Sequence, residues 1–152
     1  MIPERYRRMQ DKFNLPQFCE LKETFKLDVE DSDEIFDNIR NEISERLFTF
    51  TERVLEPVIG GSDSFSCIFE QHMITDEERG KMFELYKKIQ VLKWENNLLI
   101  INPDEKRTAE WIRKAWDLWN NELDREFSKV CKKFSAAWFG LKFKNENAYY
   151  HG

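Results

Sequence analysis

Three stretches of this sequence place a short polar acceptor three residues before a glutamate: Asp31 before Glu34, Thr75 before Glu78, and Asn102 before Glu105. Each opens a long run of apolar residues at helical spacing. This is the capping-box pattern, in which the first side chain takes an orphan backbone N–H and the glutamate reaches back to another. Helix starts that clear leave little room for a sheet. The expected fold is all-α: an antiparallel helical bundle of three long helices plus one or two short N-terminal helices. A charged fraction of 35% with only five glycines and four prolines agrees with long solvated helices.

Residues 3–13 read as a short helix with Pro3 in its first turn. Pro16 disfavours helical backbone at Leu15, so Phe18, Leu21 and Phe25 belong to a second short helix or a sharply bent continuation. The first long helix is expected from Ser32 to Val58, with a seam of Phe36, Ile39, Ile43, Leu47, Phe50, Val54 and Val58. Those spacings add to eleven twice, which keeps phase with a straight helix. Gly60 and Gly61 should end it.

The second long helix should run from Asp76 to about Leu98, with Met82, Leu85, Tyr86, Ile89, Leu92 and Asn96 inward. Leu98 to Ile101 fits a helix end or an extended piece equally well. The third should run from Pro103 to about Phe139 on Ile112, Trp116, Trp119, Leu123, Phe127, Val130, Phe134 and Trp138. The loop before it is short enough to make these two helices antiparallel neighbours. Residues 1–140 form one expected domain, long enough to bury a core without a staple. Residues 141–152 have no period and are expected to fray as a C-terminal tail.

Cys19, Cys67 and Cys131 are odd in number and widely spaced, which suits reduced thiols and a cytoplasmic protein. No apolar h-region follows the charged start, and no run approaches a membrane span, so no membrane partner is expected.

Candidate chemistry is thin. The two histidines, His72 and His151, do not follow a glutamate at di-iron spacing. Cys67 and His72, five residues apart, do not face each other on a helix. Glu42 and Glu45 form a Glu-x-x-Glu pair. Over these four residues the chain resembles the magnesium-binding helix of the all-helical MazG-type nucleotide pyrophosphohydrolases. The second acidic helix of that family has no counterpart here. On a helical wheel both glutamates point away from the apolar seam, so exposure without metal is expected.

Gly60, Gly61, Ser62, Ser64 and Ser66 could cradle an anion with backbone N–H groups, although a structural corner is the simpler reading. These glycines and serines, with Glu42 and Glu45, carry the alternative of a phosphate-ester or nucleotide hydrolase. Lys129, Lys132, Lys133, Lys142 and Lys144 interleave with aromatics, as a nucleic-acid surface would. A net charge of −5 disfavours that partner. No cofactor or metal is expected.

What remains is surplus apolar surface. Trp111, Ala115 and Leu118 lie beside the expected seam and widen the apolar arc of the third long helix to roughly 200°. Phe83 and Trp94 lie on the far side of the second. A face of that kind implies a protein partner or a homo-oligomer. The expected function is therefore macromolecular interaction by a helical protein, with these five residues as the interaction surface.

Overall fold

The computed structural model describes residues 2–61 and 63–142. Two short helices, α1 (Glu4–Gln10) and α2 (Phe18–Phe25), precede three long rods. The first rod is α3 (Ile35–Val54) continued by one turn, α4 (Glu56–Ile59). A short helix, α5 (Phe65–His72), leads to the second rod, α6 (Asp76–Ile101). The third rod is α7 (Glu105–Leu118), a π-turn (Trp119–Leu123) and α8 (Asp124–Gly140), without a break in the chain's helical course. The fold is the expected all-α bundle. Among the described residues, no helix is long and apolar enough to cross a membrane.

The first two starts differ in kind. Thr75 forms the full capping box: its hydroxyl accepts the Glu78 N–H at 3.1 Å and the Glu78 carboxylate accepts the Thr75 N–H at 3.3 Å. Asp31 caps a different helix. Its carboxylate accepts the Glu4 N–H at 2.9 Å, and α3 begins at Ile35 with no side-chain cap. The same acidic stretch holds Arg5, which reaches Asp33 at 3.2 Å and Glu105 at 2.6 Å.

At the third start the cap is Asp104, which accepts the Arg107 N–H at 2.8 Å. Asn102 instead closes α6, its N–H reaching the Leu98 carbonyl. Leu98 to Ile101 are helical. Pro57 explains why the first rod breaks near Leu55, because it has no N–H to donate back to residue 53.

The core sits where α3, α6 and α7 meet. Ile35, Phe36, Ile39, Ile43 and Leu47 line it from α3; Met82, Leu85, Ile89, Leu92 and Leu99 from α6. At the end covered by α1 and α2, Tyr6 stacks on Phe36 and meets Phe18 edge-on. The Tyr6 hydroxyl donates to the Pro16 carbonyl at 2.6 Å, and burial pushes its pKa up.

The seam of the third rod differs from the expected one. In α7 the buried residues are Thr108, Ala109, Trp111, Ile112 and Ala115, while Trp116 is only half-buried. In α8 they are Phe127 and Val130, preceded by Leu123 in the π-turn. In an ideal helix the second set would lie about 60° around from the first. The π-turn, in which the Asp124 N–H reaches the Trp119 carbonyl, absorbs one extra residue and returns the second set to the core. Trp116 and Trp119 then face sideways onto Phe25, and Trp119 also meets Phe50.

Candidate functional site

The structure divides the five expected interaction residues. Trp111 and Ala115 are core residues and leave the candidate surface. Trp111 is 1% exposed and its indole N–H donates to the Leu92 carbonyl at 2.9 Å, so α6 of the same chain covers this face. Leu118 is half-buried against the core. The wide apolar arc of α7 is explained within the chain, by packing on α3 and α6.

Phe83 and Trp94 stay on the surface, and the structure adds three residues to them. Val91, Trp94, Leu98 and Ile101 are 58, 65, 65 and 76% exposed, and Phe83 is 47% exposed. All five lie on α6 within an arc of about 80°, centred nearly opposite its buried seam. Their spacing is 3 and 4 residues from Val91 onward. α6 is thus apolar on two opposite faces, and only one is covered. The signal was present in the sequence: Trp94 already lay in line with Leu98 and Ile101.

Charged residues flank this face. Lys88 holds Glu122 of the π-turn at 2.7 Å, and Lys114 of α7 holds Glu95 at 3.3 Å. Between α6 and α7 lies a cavity of about 320 Å³ with Leu98, Leu99 and Trp111 as its apolar wall. Glu95, Glu110, Arg107 and Lys114 surround its mouth.

Beneath the opposite face is a buried polar cluster that sequence reasoning missed. Arg40 of α3 is 4% exposed and donates to the Asn96 side-chain oxygen; Ser44 donates to the same oxygen at 2.9 Å. Asp37 lies 3.7 Å from the guanidinium. Burial lowers the Arg40 pKa and Asp37 opposes that shift. Asn96, a polar residue on an apolar seam, was its visible half.

Several of the hydrolase candidates, Glu42 and Ser64 among them, make contacts within the fold. The Glu42 carboxylate accepts the Asp28 N–H at 2.8 Å, and Arg46 donates to the Lys26 carbonyl at 3.2 Å. Together they pin the chain after α2, where Lys26 is left-handed. Glu42 is half-buried, not exposed as expected, whereas Glu45 is exposed. Both line an open depression of about 580 Å³ in which Lys26, Arg46 and Arg53 balance Asp28, Glu42 and Glu45. Among the described residues, no three His, Cys, Asp or Glu side chains converge as a metal set.

Gly60 closes α4, and Gly61 takes a positive φ of 73° that suits glycine. The Ser64 hydroxyl accepts the Cys67 N–H at 3.3 Å and caps α5; Ser66 lies 3.4 Å from it. Glu52 and Glu56 line the depression beside Gly60 and Gly61, a poor setting for an anion. In the lysine-rich region, Lys133 holds Glu78 at 2.6 Å and Lys129 holds Glu126 at 3.4 Å. Lys132 and Lys142 are exposed. Ser62, Lys144 and His151 lie outside the described residues, as does the tail from residue 143 onward.

The chain matches no family model, no curated protein and no solved structure.

Proposed function

We propose that this protein works by binding another protein chain through the outer face of α6. One observation carries the reading: Phe83, Val91, Trp94, Leu98 and Ile101 are exposed together on one side of a helix whose other side is already buried in the core. Scattered exposed apolar residues are ordinary on protein surfaces. A run of Val91, Trp94, Leu98 and Ile101 at spacings of 3, 4 and 3 on one helix face is not, and marks a surface that is covered in use. Tryptophan is also the residue most often found at the energetic centre of such surfaces.

The hydrolase and nucleic-acid readings rank below this one. Glu42 and Ser64 are engaged in pinning and capping, and two of the lysines are paired with acids.

The test is site-specific photo-crosslinking in cells. A crosslinking side chain at position 94 should give a discrete, saturable adduct with a protein chain. Leu98→Glu should abolish it while leaving the fold intact, since Leu98 is largely exposed. The same side chain at Lys132 is the control. A yield at position 94 no higher than at position 132 overturns the reading.

A further inference from the structure

We infer that the occupant of the α6 face is a second copy of this chain, paired antiparallel through α6 about a two-fold axis between residues 92 and 93. This rests on reading the face as protein-binding and adds its partner and register.

The exposed stripe has the spacing of a coiled-coil seam. Glu84, Val91 and Leu98 occupy one core position of the heptad; Lys87, Trp94 and Ile101 occupy the other. Over so few turns the drift between this repeat and a straight helix is about 20° per heptad, small against the width of the stripe.

Orientation follows from the charges. In a parallel pair, Glu84 would meet Glu84 of the second copy and Lys87 would meet Lys87, so two layers would set like charges together. In the antiparallel pair each core layer joins the two kinds of position. Val91 meets Trp94 of the second copy, small against large, and does so twice. Lys87 lies over Leu98 of the second copy and Glu84 over Ile101, with their charged ends turned to the rim, where they pair with each other at 3.5 Å within each chain. Phe83 adds apolar cover beside Ile101 of the second copy.

The flanks agree. Antiparallel helices bring like flank positions together. One flank pairs Lys88 with Glu95 of the second copy, twice by symmetry; the other pairs Gln90 with Asn97. A parallel pair would set Gln90 against Glu95 and Phe83 against Lys88, with no opposite charges meeting. This complementarity of the face to itself, in one orientation only, selects a second copy over an unrelated partner.

The area suffices. At about 150–250 Å² per aromatic side chain and somewhat less per aliphatic one, the five exposed fractions amount to about 400 Å² of apolar surface. Interfaces are about 60% apolar, which implies about 650 Å² per chain. The total, about 1,300 Å², lies within the range of specific interfaces.

The test is sedimentation equilibrium of the purified full chain, with thermal melts to confirm that each variant folds. The wild type should be a reversible dimer at micromolar concentration. Trp94→Ala should weaken it about a thousand-fold, because a loss of about thirty-fold at a central tryptophan counts twice under the two-fold axis. Lys88→Glu and Glu95→Lys should each weaken self-pairing, and a mixture of the two variants should form a heterodimer near wild-type strength. The mixture does not repair the contacts within each chain to Glu122 and Lys114, so recovery reports the antiparallel pairing alone. A dimer whose swapped variants fail to recover on mixing overturns the inference. So does a monomer at every concentration. A monomer whose position 94 crosslinks to a different protein leaves the binding reading standing; a monomer with no adduct takes both down.

Discussion

Replacing Asn96 with leucine should expose how the buried arginine is held. Arg40 is 4% exposed, and its close polar partner across the helix interface is the Asn96 oxygen. Ser44 keeps the Arg40 carbonyl as an acceptor at 2.7 Å, so its hydroxyl loses little. The guanidinium loses a hydrogen bond to a charged group, which costs about 1.5–3 kcal/mol. Full loss of compensation for a buried charge would cost about 3–5 kcal/mol. Asp37, 3.7 Å away and partly exposed, retains part of the compensation, which places the expected cost at about 3 kcal/mol. Pairing Asn96→Leu with Arg40→Met removes the charge together with its partner and should recover most of that loss. Urea unfolding of both single variants and the double variant, followed by tryptophan fluorescence at one fixed protein concentration, gives the coupling directly. The reasoning fails if Asn96→Leu costs less than about 1 kcal/mol, or if the double variant is no more stable than Asn96→Leu alone.

Two further results should follow. Thr75→Ala and Asp104→Ala should each cost about 1 kcal/mol in thermal melts, whereas Asn102→Ala should cost clearly less, because Asp104 holds the cap. Lys133 and the Thr75 N–H hold the Glu78 carboxyl below its ordinary value of 4.5. Glu78 therefore adds stability that is present above that value and is lost as pH falls through its lower folded value. Lys133→Met should flatten the acid side of a melting-temperature profile against pH, and an unchanged profile would refute the link.

The helical run lengths were legible because apolar periodicity and breakers act locally. Gly60 and Gly61 ended the first rod as expected, Gly61 by taking a positive φ, and Thr75 with Glu78 made the expected box. The errors lie where one local pattern has two possible uses. An aspartate such as Asp31 can cap any nearby N-terminus, and α1 comes within reach only after the chain folds. Asp104 competes with Asn102 two residues away and wins, because Asn102 is still closing the preceding helix. The π-turn had no local signature. It is required by the mismatch between the core residues of α7 and those of α8, which emerges only once α3 and α6 select the inward face.

The same limit governs the candidate site. Two helices carried more apolar surface than one neighbour can cover, and the sequence could not say which surplus the chain would cover itself. α7 follows α6 through a tight connection and packs on both α6 and α3, so its second apolar face is used internally and Trp111 is sealed by its bond to Leu92. α6 has neighbours on one side only. Its heptad stripe opposite the core cannot reach another element of the described fold, because α3 and α7 already occupy the inner face. The local energetics of the two helices are alike, and burial of either face is favourable by roughly 25 cal/mol per Å². What separates a core residue such as Trp111 from an exposed one such as Trp94 is the position of its helix in the bundle. For α6 that position leaves Val91, Trp94, Leu98 and Ile101 exposed, and the proposed pairing rests on that exposure.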